Sequence, residues 1–528
     1  MAIAALPLRQ ARSEAEVYRV RYLIAFAVTL ASVLELVDTS IVNVAIPHMM
    51  GNLGATLEEV AWVSTGYIVA NVIILPLTPW LAARFGRRNY YTGSIILFTL
   101  ASFFCGSARS LEALVFWRVI QGIGGGALIS TAQAILFDVF PLSERGTSTA
   151  IFGMGVMVGP ALGPTLGGWI TDNYSWPWIF YINIPLGILA AYLTWSYVPE
   201  PRYKVQEDKG VDWLGLLFLI MGVGALQILL ERGESKDWFE SPEIITETVV
   251  AVCGMIGFVW HELTTENPMV NLRVLKRRQL AVGVVFASIL GFALYSSVFA
   301  LPVFLQNYLG FSAWDTGRVL LPGAIATAVT MAVAGRLANK VDVRPVIFSG
   351  VVLFALSMRL HSHFTLETGQ VDLLWPMILR GVGMGLIFVP LTGLAVAGLP
   401  PSDIPQGTGL YNLSRQLGGS FGIAITATIL THFREESREA LRSHVTIYDE
   451  TTRSWLDMVT QRMLAETGSL VSAQQKAQAL LARVIEGQAA VISFEKVFFI
   501  MGAAFLLATP LLLLFRTGRV SGGGGAAH

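Results

Sequence analysis

The sequence predicts an all-α integral membrane protein of fourteen spans, arranged as two six-helix halves with two extra helices between them. Three observations predict it. The composition is 54% hydrophobic and only 14% charged over 528 residues, against about 25% charged in soluble domains. Fourteen apolar runs approach the roughly 20 residues that cross a bilayer core as a helix. Lys and Arg then fall unevenly on alternate sides of those runs.

In chain order the runs are 22–46, 60–80, 90–107, 112–138, 146–171, 178–198, 212–231, 243–261, 280–301, 317–337, 345–361, 373–398, 406–431 and 494–515. The first follows four arginines and is too long for a signal peptide's apolar core. No small-residue cleavage site comes after it, so it reads as an uncleaved span. With the N-terminus inside, twenty Lys and Arg fall on the inner side, from Arg9 and Arg12 to Arg516 and Arg519. The short outer loops and their edges hold five: Arg109, Arg232, Lys236, Arg318 and Arg359. Both termini are therefore expected in the cytoplasm. A net charge of +0 excludes the basic balance that nucleic-acid binding needs. The two cysteines, Cys105 and Cys253, sit inside apolar runs and read as small core residues.

Residues 432–493 form one long outer segment, polar and charged, containing two stretches with amphipathic helical spacing, "SWLDMVTQRMLAETGSL" and "SAQQKAQALLARVIEG". Its two readings are a solvated cap over the outer mouth and a docking surface for a partner outside the membrane.

The chain repeats itself. "PWLAARFGRRN" (79–89) aligns with "GRLANKVDVRP" (335–345), placing Leu81 on Leu337, Arg84 on Lys340 and Arg88 on Arg344. "FWRVIQGIGGGAL" (116–128) aligns with "WPMILRGVGMGLI" (375–387). Repeated six-span halves are a transporter signature, with the substrate site between them near the midplane. The expected divisions are 1–200 for the first bundle, 201–265 for two linker spans, and 266–528 for the second bundle with the 432–493 segment.

In "GMGVMVGPALGPTLGG" (153–168), Gly155, Gly159, Gly163 and Gly167 recur every four residues, with Pro160 and Pro164 at the same interval. Such a column lets another helix backbone approach closely, and the prolines loosen the helix. Arg84, Arg87 and Arg88 set topology, and Asp138 is placed to pair with one of the last two as a cytoplasmic gate. "GIGGGA" follows no strand, so it is no dinucleotide fingerprint, and no P-loop occurs, which argues against ATP as the energy source. The "HSH" of His361 and His363 has no further ligands near it in sequence, so no metal site is expected.

Charges inside spans are rare and functional. Here they are Glu35 and Asp38 in the first run, Arg118 in the fourth, Arg380 in 373–398 and Arg415 in 406–431. At 1.5 Å per residue, Asp38 lies about 12 Å and Arg118 about 9 Å from the outer ends of their spans, so an ion pair is expected. Its competing explanation is purely structural pairing. Glu35 is one turn inward of Asp38, on the same helix face. Two carboxylates that close resist ionising together, so the pair is expected to hold a proton and titrate as a unit. Tyr67, Asn71, Gln133, Tyr295 and Asn412 are expected to line the cavity, with Arg415 facing it.

With these motifs, together with "VDTSIVNVAIP", "NYSWPWIFYINIPLG" (173–187) and "LLERGESKDWF" (229–239), the chain resembles the major facilitator superfamily. Within it, the likeness is to the fourteen-span drug:proton antiporters. The glycine column is similar to the antiporter motif of its exporters. The "LAARFGRR" loop is similar to its cytoplasmic loop motif, except that Pro79 and Ala83 stand where glycine and aspartate are expected. The resemblance implies the family's fold and proton-coupled efflux of varied lipophilic compounds, with no cofactor. It also implies a tripartite route through a periplasmic membrane-fusion adaptor and an outer-membrane channel. The alternatives are export of one metabolite, such as a fatty acid, siderophore or sugar, and a non-transporting membrane sensor. An enzyme is not expected.

Overall fold

The computed structural model describes residues 14–515 apart from 201–209, 339 and 447. Arg9, Arg12, Arg202, Lys204, Lys209, Arg516 and Arg519, used in the side count, lie outside the described residues. Every element within them is helical. In order they are α1 (Glu14–Leu53), α2 (Leu57–Phe85), α3 (Arg87–Gly106), α4 (Leu111–Val139), α5 (Arg145–Asn173), α6 (Trp178–Tyr197), α7 (Trp213–Arg232), α8 (Pro242–Thr264), α9 (Arg278–Asn307), α10 (Ala313–Ala338), α11 (Val343–His361), α12 (Gln370–Val396), α13 (Ile404–His444), α14 (Glu450–Thr467) and α15 (Leu470–Leu507). Twelve of them are long and apolar enough to cross a membrane. Adding α3 and α13 makes fourteen. These two fall short on apolarity because Arg87, Arg88 and Asn89 open one, and Asn412, Arg415 and Gln416 interrupt the other.

Helix ends follow local chemistry. Thr56 and Glu59 form a capping box at the start of α2, which satisfies orphan backbone donors reciprocally. Gly86, at φ 82°, turns the chain from α2 into α3, a conformation that favours glycine. Asp449 caps α14, and the Thr452 hydroxyl and backbone N–H hold its carboxyl below the usual range.

The halves pack alike. In the first, α1 packs on α5 and α6, α2 on α4, and α3 on α4 and α6. In the second, α9 packs on α13 and α15, α10 on α12, and α11 on α12 and α15. Each contact has its counterpart, as the sequence repeat requires. The bundles meet where α5 lies along α10 and α2 along α13. The pair α7–α8 packs outside, with α7 touching both α2 and α13.

Small residues set these approaches. A Cβ on Gly155 would lie 2.3 Å from Thr29 Cγ2, on Gly159 2.5 Å from Leu36 Cβ, and on Gly163 2.7 Å from Ser40 Cβ. The glycine column is thus the surface on which α1 sits. The second half repeats the device with Gly418 and Gly422 of α13 against Ser288 and Phe292 of α9.

The 432–493 segment differs from its expected form. The second amphipathic stretch is no separate helix but the front of α15, which continues into the last span, and α13 likewise runs on past residue 431. At 1.5 Å per residue α13 is about 61 Å and α15 about 57 Å long, roughly twice the 30 Å bilayer core. Arg434 and Arg438 meet Glu486, and Lys496 meets Glu436, between the two projecting ends, with α14 packed on α15. The apolar faces of an antiparallel pair cover one another, so a polar composition need not mean a separate cap.

Replacing Gly159 by Val is expected to cost about 1–3 kcal/mol through overpacking against α1. Gly93→Val, where nothing lies within 4 Å, is the control. Melting temperatures in detergent check this: a clear drop for the first and none for the second.

Candidate functional site

Asp38 is wholly buried in α1 and sits in a cage built by five helices of the first half. Its Oδ2 accepts from Arg118 Nη1 of α4 at 2.5 Å. Its Oδ1 accepts from Gln121 Nε2 of α4 at 2.9 Å and from Asn183 Nδ2 of α6 at 2.8 Å. Ser102 of α3 accepts from the same two amides. Arg118 gives Nε to the Val63 carbonyl of α2 at 2.9 Å and lies 4.1 Å from the centre of the Tyr67 ring. An unpaired buried charge is costly, and a paired one needs its remaining hydrogen-bonding capacity filled. Here both ions are filled almost entirely by neighbours.

Glu35 has different company. It is 4% exposed, its Oε1 accepts from Asn71 Nδ2 of α2 at 2.8 Å, and its Oε2 is buried with no partner. The hydrogen-bond partners of Glu35 and Asp38 are therefore separate, while the Asp38 charge still acts on Glu35 through space. Residues three apart share a face, but the Asp38 carboxylate turns into its bundle, where three donors wait.

Asn71 continues across the interface. Its Oδ1 accepts from Gln416 Nε2 of α13 at 3.2 Å, so one amide joins the Glu35 carboxyl to the second bundle. A parallel crossing runs from Gln133 of α4, which accepts from Asn412 Nδ2 at 2.7 Å, to Arg415, whose Nη2 donates to Asn412 Oδ1 at 3.2 Å. Apolar residues from both bundles, including Val72, Leu77, Phe137, Val396 and Leu410, cluster towards the same end of the molecule, which carries the α2–α3 loop. At that end the two halves are joined.

Above this seam a cavity separates the bundles, with Leu36, Met157 and Pro160 on one wall and Tyr295, Arg380 and Arg415 on the other. Of the six residues expected to line it, Tyr295 and Arg415 do. The other four make protein contacts: Tyr67 packs its ring under Arg118, Asn71 donates to Glu35, and Asn412 donates to Gln133. Buried amides take protein partners where these are in reach, and here two of those bonds cross the interface.

At the loop end, Arg87 pairs with Asp138. Glu200 accepts from the backbone N–H groups of Arg87 at 2.9 Å and Arg88 at 3.2 Å, which caps α3. Arg88 stacks 4.9 Å from Trp195, and Arg84 lies over Trp80. The residues that sequence reasoning missed are Gln121, Asn183, Ser102, Gln416 and Glu200. Gln121 had a usable signal, three residues after Arg118 on the same helix face.

The sequence matches the Major Facilitator Superfamily over residues 28–423. It is 35% identical over 506 residues to "Multidrug export protein EmrB" of Escherichia coli K12, covering 95% of this chain and 97% of that one. It is 34% identical over 502 residues to "Fatty acid resistance protein FarB" of Neisseria gonorrhoeae, covering 94% and 96%. The fold superposes on the proton:xylose symporter XylE with a TM-score of 0.61 at 13% identity, covering 95% of this chain and 97% of that one.

Asp38→Asn leaves the Arg118 charge buried without its counter-ion, and is expected to destabilise the protein by about 3–5 kcal/mol. Combining it with Arg118→Gln should recover much of the loss. Thermal unfolding followed by tryptophan fluorescence checks both; an unchanged melting temperature in the single variant contradicts the pair as described.

Proposed function

The chain belongs to the major facilitator superfamily, and from that premise we propose that it is a multidrug efflux transporter, exchanging lipophilic compounds for protons. The observation that carries the reading is the Glu35 carboxyl. It is buried, one of its oxygens lacks a partner, and the other is tied through Asn71 to Gln416 of the opposite bundle. A single neutral donor compensates a buried carboxylate poorly, and Arg415 acts on it only through space, so a proton on Oε2 removes a charge that is only partly balanced.

That proton also alters the hydrogen-bond parity of the seam. An ionised Glu35 only accepts, which fixes Asn71 with its amide N–H toward Glu35 and its carbonyl toward Gln416. A protonated Glu35 also donates, so the Asn71 carbonyl has a second donor to serve, and its bond to Gln416 weakens. Protonation thereby acts on a contact that holds the bundles together at the loop end. Coupling requires this kind of difference, because a ligand shifts a conformational equilibrium only by its differential affinity for the two states. Asp38 and Arg118 hold the first half as the rigid body that rocks, and exchange a proton when the outer path opens. Arg84, Arg87, Arg88 and Asp138 form the cytoplasmic gate.

The charge count supports both termini and the loop end in the cytoplasm, and the likeness to bacterial export proteins supports a bacterial inner membrane location. The α13–α15 projection then stands in the periplasm, long enough to clear the bilayer. It is assigned to contact with a membrane-fusion adaptor leading to an outer-membrane channel. No cofactor is required, since the proton gradient supplies the energy.

Expression in a drug-sensitive host is expected to raise the inhibitory concentrations of several unrelated lipophilic compounds. Protection confined to one metabolite class, such as fatty acids, would replace multidrug efflux with the narrower reading. Protection equal in Glu35→Gln would remove the proton step.

A further inference from the structure

We propose that Arg380 and Arg415 form a charge-selecting seat in the central cavity, which takes the anionic head of a small amphiphilic substrate. The inference deepens the export reading and rests on it. Both guanidinium groups line the cavity between the bundles. They reach it from opposite ends: Arg380 is ten residues into α12 and Arg415 eleven into α13, about 15 and 16 Å along antiparallel helices. They therefore sit at similar depth, near the middle of the span.

Their donors are left open. Arg380 Nη1, Arg415 Nε and Arg415 Nη1 are buried with no hydrogen-bond partner, and Arg415 is 2% exposed. The other intramembrane arginine, Arg118, has Asp38, and Arg87 at the cytoplasmic gate has Asp138. None of the described residues lining this cavity is Asp or Glu. Glu35, on the adjoining face of α1, acts on Arg415 through space but hydrogen-bonds to Asn71.

Two cations in a poorly solvated chamber without a carboxylate are unfavourable unless a ligand completes them. Guanidinium groups present forked donors that match carboxylate, sulfonate or phosphate oxygens. The remaining walls, with Leu36, Leu294, Leu320 and Met384, suit an aromatic or aliphatic body. A soluble amphiphile with an oxyanion head satisfies both halves of the chamber. A bare cation is opposed by two like charges, and a neutral compound leaves the arginine donors unpaired.

Three probes sharing one ring system test this: naphthalene-2-sulfonate, naphthalene-2-methanol and a naphthylmethyl trimethylammonium salt. Binding is measured to the full chain in nanodiscs of zwitterionic lipid. The wild type is expected to favour the sulfonate over the alcohol by about tenfold, the effect of one charge-assisted hydrogen bond, with the cation weakest. Arg380→Gln and Arg415→Gln should each erase most of that preference while alcohol binding persists, which also reports that the variants are folded. Equal affinity for all three probes, or equal loss of all three in the variants, would overturn the seat. Displacement of the sulfonate by added phosphatidylglycerol would overturn it as a substrate seat and assign it to a lipid head group. Proton-driven transport of the sulfonate by the wild type is measured separately: its absence beside intact charge selectivity counts against the export reading alone.

Discussion

The interior of a bilayer leaves no water to solvate an ion, and the contact between Asp38 and Arg118 is where that constraint bears hardest on this chain. Neither group is tolerable alone. Satisfying both draws in Gln121 and Ser102, Asn183 from α6, and a backbone carbonyl from α2. Five helices of the first half converge on one carboxylate. Parting α2, α4 or α6 from this cage breaks a bond to a buried charge, and parting α3 breaks a bond to the amides that hold it. Among the described residues the second half has no equivalent acid, and two of its arginines open into the cavity in place of a cage. In the proposed mechanism this asymmetry divides the labour: proton handling on one side, and contact with the cargo on the other.

Rigid halves are useful only if they can move against each other, and small residues allow it. Within each half, backbones approach over glycines, as Gly159 does on Leu36 and Gly418 on Ser288. Two neutral amide bonds cross between the halves among the described residues, Gln133 to Asn412 and Asn71 to Gln416. Neutral amide bonds contribute on the order of 1 kcal/mol each. They are strong enough to hold a state and weak enough to exchange. The Asp38–Arg118 and Arg87–Asp138 ion pairs lie inside the first half, and the neutral bonds lie between the halves.

Much of this was legible in the sequence. The apolar helices and the internal repeat follow from hydropathy and residue pattern, which the physics of a bilayer enforces at every span. The contact between Asp38 and Arg118 followed from depth alone. The neutral polar residues were not legible in the same way. A glutamine or asparagine in a span carries no charge to demand a partner, so Gln416 and Asn183 look like any tolerated amide until helices from different parts of the chain meet. Four expected cavity residues are amides or a tyrosine that found protein partners for the same reason. The continuous α13 and α15 were hidden too, because composition locates the end of an apolar run and says little about where a helix stops.

The central claim is that Glu35 couples proton entry to movement of the two halves. Reconstitution in proteoliposomes tests it most directly, comparing wild type, Glu35→Gln and Asp38→Asn. Two quantities are followed: uphill movement of a lipophilic substrate driven by an imposed proton gradient, and downhill exchange of the same substrate without one. The account predicts that Glu35→Gln abolishes uphill movement while downhill exchange continues, because the cavity persists and only the coupling is lost. Undiminished gradient-driven transport in Glu35→Gln would contradict it, whatever Asp38→Asn does.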